Sequence, residues 1–245
     1  MTDDHKTLGA ARLLEQLQRS QAFHTDGATG IERELSVLRS WQSARLARTH
    51  ADLLNDPRYR PAAEFFLDEL YGNRDFHQRE QDLARVVPVM IRSLPAPVLC
   101  TAARALELNA LSHELDARLT RMLVMEFNWR DTLDEAIYVA GYRRCGDYDL
   151  RRHQLNLVEQ LGRDLQRIVR KHFIHTALKL ASGPARLAGV GELHRFLDRG
   201  FHAFHHMGTA AGHFVNVITA RERMIMERIG AGHPQPLQLE SGIGA

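Results

Sequence analysis

Lysine is nearly missing from this chain of 245 residues. Lys6, Lys171 and Lys179 are the only three among 32 basic residues. The arginine that replaces it reads as the codon usage of a GC-rich genome, not as an arginine-specific chemistry. Cysteine is equally scarce: Cys100 and Cys145 cannot staple a framework, and they fit no zinc spacing. No run of 18 apolar residues occurs, so no membrane-spanning helix is expected. Residues Met1 to His5 carry no basic stretch followed by an apolar one, so no signal peptide is read there. Charge of one sign is not in excess either. The 32 basic and 30 acidic residues leave a formal charge of +2. Nucleic acid and anionic membranes call for a far stronger basic excess, so neither is an expected partner. The expectation is a cytoplasmic protein with reduced thiols.

Strand signals are missing as well. No Asn-Gly or Asp-Gly pair is flanked by alternating apolar residues, and Asp26-Gly27 precedes a helix instead. There is no phosphate-cradling Gly-x-x-x-x-Gly-Lys-Ser/Thr loop, no Gly-x-Gly-x-x-Gly fingerprint and no Gly-x-Ser-x-Gly elbow. His-Glu-x-x-His and Glu-x-x-His are absent, and His113-Glu114 has Ala117 where a second histidine would be needed. Di-iron chemistry in a helical bundle thus lacks its strongest signature.

What is present is helix. The hydrophobic class makes up 44% of the chain and charged residues 25%, an ordinary globular composition that can bury one sizeable core. Thr29 with Glu32 has the spacing of a capping box, and Ile31, Leu35, Leu38 and Leu46 follow as a helical stripe. Pro61 opens a short helix through Tyr71, which Gly72 stops. Further helices are predicted from Asp75 to Ser93 with Pro88 inside, from Pro97 to about Phe127, and from Asp131 to Cys145. Two long ones run from Tyr148 to Ala181 and from Gly191 to Ile229. The spacing predicts an all-α, single bundle-like domain of about eight helices over residues 11–229, with a flexible start (1–10) and a flexible tail (230–245). No repeat of 20–50 residues suggests a solenoid.

Fourteen histidines invite a metal or haem reading. Asp198, His202, His206 and His213 are metal candidates at helical spacing. On a wheel of about 100° per residue, Leu193, Leu197, Phe204, Met207, Ala211, Val215, Ile218, Ile225 and Ile229 form one apolar stripe. The four candidates then sit roughly 140–180° from its centre, which reads more simply as a solvated face. Glu222 is the odd residue, about 20° from the centre of the stripe. A buried carboxylate needs a cation, a raised pKa or a ligand. Arg221 and Arg223 point away from that stripe, so a partner must come from another helix. His172 is a second polar residue on an apolar arc, and the simpler reading is a hydrogen-bonded core histidine. Glu222 and His172 are the catalytic candidates, with Glu107 and His113 in support. Gly200 and Gly208, costly within a helix at about 1 kcal/mol each, suggest close approach by another helix or by a second subunit.

Two stretches carry a resemblance. Phe65-Phe-Leu-Asp-Glu-Leu-Tyr71-Gly-Asn-Arg74-Asp-Phe76, followed by Arg85-Val-Val-Pro88, resembles a family of uncharacterised all-helical bacterial proteins, as does Phe201-His-Ala-Phe204-His-His-Met-Gly208 with Arg221-Glu222. The resemblance implies a single helical domain and brings no chemistry with it. Tyr71 and Arg74 in that motif join Gly200 and Gly208 as candidate partner or ligand contacts.

The leading expectation is a binding or regulatory module, self-associating as a homodimer or meeting a protein partner or a small ligand between helices. The alternative is a metal- or haem-dependent oxidoreductase with a carboxylate and histidine site. No motif demands a cofactor; iron or haem is what that alternative would require.

Overall fold

A computed structural model describes residues 2–26, 30–70, 76–170, 176 and 189–239. Helices fill nearly all of these, and no strand occurs among the described residues. The fold is all-α, as the missing hairpin signals require. The helices are α1 (Thr2–Asp26), α2 (Glu32–Thr49), α3 (Ala51–Asn55), α4 (Arg60–Leu70), α5 (Phe76–Ser93) and α6 (Ala96–Glu126). They continue as α7 (Glu135–Cys145), α8 (Tyr148–Ile168), α9 (Gly191–Met207) and α10 (Ala211–Gly230).

The long helix α6 is the axis of the bundle. Its apolar residues point in several directions, so it is covered on more than one side. Leu99, Ala103 and Leu106 pack with Leu13 and Leu17 of α1 and Val87 of α5. Leu108, Leu111 and Leu115 meet Leu157 of α8. Leu119 and Leu123 meet Leu38 of α2, Tyr138 and Tyr142 of α7, and Ile225, Met226 and Ile229 of α10. A further core lies between α4, α9 and α10, built on Phe65, Phe204, Phe214 and Val215. Two glycines let helices touch. A Cβ on Gly162 would lie 2.4 Å from Val215 Cγ2, where α8 crosses α10. One on Gly141 would lie 2.4 Å from Leu123 Cδ2, where α7 crosses α6.

Several boundaries differ from the sequence expectation. The C-terminal segment is two helices, not one. Gly208 takes φ +56° and ψ −120°, and a single 3₁₀ turn, Gly208–Ala210, separates α9 from α10. Glycine is there for backbone freedom: nothing lies within 4 Å of a Cβ at Gly208. Gly200 does serve a close approach, with the Phe65 ring 2.9 Å from a Cβ at that position. α7 begins after Asp134, whose carboxylate accepts from the Ile137 amide at 2.8 Å. Asp131 lies outside that helix, paired with Arg33 at 2.6 Å. The turn between α6 and α7 is held by Trp129 Nε1, which donates to the Thr132 carbonyl at 2.9 Å, and Asn128 is left-handed at φ +49°.

At the start of α2 the residue before the first turn is Ile31, with no side-chain cap; the Glu32 carboxylate reaches back to the Gly30 amide at 3.1 Å. Thr29 lies outside the described residues. Residues 2–10 lie in the opening turns of α1, with Gly9 set against Cys100. After α10, Pro236 is buried, and Leu237 and Leu239 pack on the core around Tyr142. The helix expected to reach Ala181 is described to Ile168, and most of the remainder lies outside the described residues.

Candidate functional site

Several of the polar residues buried in the bundle form one layer. It begins on α2, where Leu35, Leu38, Gln42 and Arg45 are all buried. Their spacing of three, four and three places them on one helical face. Two apolar residues are therefore followed by an amide and a guanidinium on the same core-facing stripe.

Arg45 resolves the puzzle of Glu222. Its Nη1 donates to both carboxylate oxygens at 2.6 Å, and His50 Nε2 lies 3.0 Å from Oε1. The Glu222 side chain is 15% exposed. Burial alone would raise its pKa, but the Arg45 charge and the His50 hydrogen bond outweigh this and hold the carboxyl at about 2. Glu222 is thus a firmly ionised carboxylate. The flanking arginines do point elsewhere: Arg221 makes a two-pronged pair with Asp52 at 2.6 and 2.8 Å, and Arg223 reaches Asn156 at 3.3 Å.

The other half of the layer centres on α6. His113, Asp116 and Thr120, again at spacings of three and four, are buried. Arg39 Nη2 lies 2.6 Å from His113 Nδ1, and its Nε lies 3.4 Å from Asp116 Oδ2. The Asp116 carboxyl is pushed up by burial, which Arg39, Arg151 and Gln42 only partly offset. Arg151 enters from the first turn of α8. It is 8% exposed, and its guanidinium stacks over the Tyr142 ring at 4.0 Å. Its Nε and Nη2 are buried with no hydrogen-bond partner among the described residues. Tyr142 lies near both halves, close enough for its hydroxyl to feel the charges of Arg151, Arg45 and Glu222. Burial raises the pKa of that hydroxyl.

The other sequence candidates among the described residues do not join this layer. Glu107 is paired with His153 at 2.8 Å on the outer side of α6 and α8. Asp198, His202, His206 and His213 lie on the outer face of α9 and α10. His202 is 3.5 Å from Asp198, His206 Nε2 is 3.3 Å from the Pro57 carbonyl, and the His213 ring packs beside Tyr59. Among the described residues no group of three or more His, Cys, Asp or Glu side chains is placed to hold a metal ion. Leu197, expected in the apolar stripe, is 44% exposed. His172, Tyr71 and Arg74 lie outside the described residues. Cys145 is not an activated thiol, because burial and Asp147 push its pKa up. A shallow pocket between α1 and α6 is lined by Arg12, Gln16, Cys100, Arg104 and Glu107. Arg104 is paired there with Asp164 and Glu107 with His153.

Sequence reasoning found Glu222 and missed most of its neighbours. The signal was available: carried one turn past Leu38, the α2 stripe lands on Gln42 and Arg45, and Arg151 occupies the first turn of a strongly amphipathic helix.

Residues 21–236 match the family described as Domain of unknown function (DUF8198). The chain belongs to that family. No curated protein and no solved structure matches it. No helix among the described residues is long and apolar enough to cross a membrane.

Proposed function

We propose that this chain is a helical binding module that takes a small ligand into the polar layer between α2, α6, α7 and α8. The observation that carries the reading is Arg151. It is a buried cation with two nitrogens lacking acceptors among the described residues, and buried donors left without acceptors are costly. The groups a redox metal site would have used are committed elsewhere. Glu222 is held by Arg45 and His50, His113 by Arg39 and Glu107 by His153. This favours a binding module over a metal- or haem-dependent oxidoreductase.

The reading includes a cytoplasmic location, where the free Cys100 and Cys145 stay reduced. It also includes self-association as a homodimer. Gly200 and Gly208 no longer argue for that, because both are used within the chain. Arginines on the outer faces are interleaved with acids, as in Arg118 with Glu114 and Asp147 and Arg167 with Asp164. That pattern suits a solvated surface better than a nucleic-acid track.

Metal analysis and visible absorption of the purified protein, with sedimentation equilibrium, test the proposal. A colourless, metal-free dimer is expected. Stoichiometric iron or a Soret band would overturn the binding-module reading, and a monomer at every concentration would remove the dimer.

A further inference from the structure

We infer that the edge of Arg151 facing the buried polar layer is a binding site for a small carboxylate. The inference rests on the binding-module reading and names the chemical class of its ligand. Three observations carry it.

The first is the identity of the orphaned atoms. Nε and Nη2 of Arg151 have no acceptor among the described residues, and these two nitrogens form one edge of the guanidinium. Their N–H bonds run nearly parallel, and the spacing matches the two oxygens of a carboxylate. The Tyr142 ring covers one face of the guanidinium at 4.0 Å. With that face covered, a two-oxygen anion meets the guanidinium in its plane, along this edge, and the side chains closed over the two buried nitrogens must part to admit it.

The second is charge. The layer holds three arginines, Arg39, Arg45 and Arg151, against two carboxylates, Asp116 and Glu222. With Asp116 ionised, three cations less two anions leave one positive charge in excess, and its raised pKa only adds to that excess. Glu222 belongs to Arg45 at 2.6 Å, and Asp116, 3.4 Å from Arg39, is shared between Arg39 and Arg151, so neither of these two arginines has a carboxylate to itself. Asp147, one turn before Arg151 on the chain, is engaged by Arg118 at 3.0 Å. One bound monoanion would balance the layer.

The third is the company Arg151 keeps. The Tyr142 ring beside it meets the Tyr148 ring edge-on at a centroid distance of 6.1 Å. The Tyr148 hydroxyl is buried without a partner among the described residues. Gln42, which donates to Asp116, has its amide oxygen buried and likewise unpartnered there. Of these two atoms the Tyr148 hydroxyl is the donor a carboxylate can use beyond the arginine, since the Gln42 amide oxygen is itself an acceptor.

Formate and acetate are the probes, with formamide and acetamide as neutral counterparts of the same shape. Thermal unfolding of the full chain is followed at constant ionic strength as each probe is raised. A ligand that binds only the folded state stabilises it by RT ln(1 + [L]/Kd), so Tm keeps rising with the logarithm of ligand concentration once Kd is passed. Formate or acetate is expected to raise Tm along that logarithmic curve, with both amides flat. R151M, which keeps the length of the side chain and removes the fork, is expected to lose the rise. R152M, one residue along on an exposed side chain, is expected to keep it. If R151M fails to fold, the carboxylate-to-amide contrast in the native chain still decides the question. A native chain indifferent to all four probes, or an unchanged rise in folded R151M, would overturn the inference. Equal stabilisation by the amides would overturn the carboxylate class and leave the small-ligand reading standing. That reading falls separately, to iron or a Soret band.

Discussion

Arg45 and Glu222 are 177 positions apart in the chain, yet one guanidinium nitrogen sits 2.6 Å from both carboxylate oxygens. The pair clamps α10 to α2, and His50 completes it from the turn between α2 and α3. Neither residue is placed for packing: each occupies a core-facing position where an apolar side chain would ordinarily lie. The pair is therefore the point at which the C-terminal helix is registered against the N-terminal half.

The first prediction concerns acid. The Glu222 carboxyl sits at about 2 in the folded protein, below its ordinary 4.5. A depressed carboxyl contributes stability that is complete above the unfolded value and is lost as pH falls through the folded one. The contribution, on the order of 3 kcal/mol, should fade between about pH 5 and pH 2. Urea unfolding of the native protein and E222Q should differ most at neutral pH and converge in acid. A gap that stays constant with pH would contradict it.

Asp116 has the opposite sign. Its pKa is raised, chiefly by burial, so the fold favours the neutral form, and stability is lost as pH rises from the ordinary value through the folded one. D116N keeps the shape without the charge. It should cost less than E222Q at neutral pH, and its cost should shrink as pH rises from acid. The same urea series reads this out, and a cost that grows with pH would refute it.

Two glycines should answer alanine in opposite ways. Gly208 has φ +56°, so G208A should destabilise by about 1–2 kcal/mol. Gly212 lies in the first turn of α10 with only the Gln166 amide near, at 3.7 Å. G212A should stabilise by up to about 1 kcal/mol. Chemical denaturation of the two variants separates them. Equal effects would mean that α9 and α10 are one continuous helix.

The crossing of α8 and α10 should be intolerant of bulk. A Cβ at Gly162 meets Val215 Cγ2 at 2.4 Å, and overpacking of this kind costs about 1–3 kcal/mol. G162A should therefore destabilise, and adding V215A should recover part of the loss. A purely additive double variant would show that the two residues do not touch.

Much of this molecule was legible in its sequence, and what was missed has particular causes. Periodicity gave the helix class and most boundaries because amphipathic stripes reflect burial directly: Leu193, Phe204, Met207, Phe214, Val215, Ile225 and Ile229 are all buried. The break at Gly208 was hidden because a single 3₁₀ turn leaves the stripe nearly in phase, so the wheel reads through it. Glu222 was legible as an anomaly, since an acid on an apolar stripe violates a strong rule. Its partner was marked only by the α2 stripe running on to Gln42 and Arg45, a faint signal because any of 29 arginines could supply a guanidinium and tertiary packing chooses among them. Arg151 carried a fainter signal still. It sits among Arg143, Arg144 and Arg152, exposed neighbours of the same type, and only the path of α8 across α6 turns it inward. The tail could not be placed because Pro236 and Leu237 make their contacts outside any periodic element.

The most direct test of the buried polar layer is a double-mutant cycle on Arg45 and Glu222, read by urea unfolding at neutral pH. R45M and E222Q should each destabilise by about 3–5 kcal/mol, because each leaves its partner's charge or hydrogen-bonding group buried and unmatched. R45M with E222L, apolar on both sides, should cost far less than the two single changes together. Single variants that cost almost nothing, or a double variant that loses their full sum, would contradict the account.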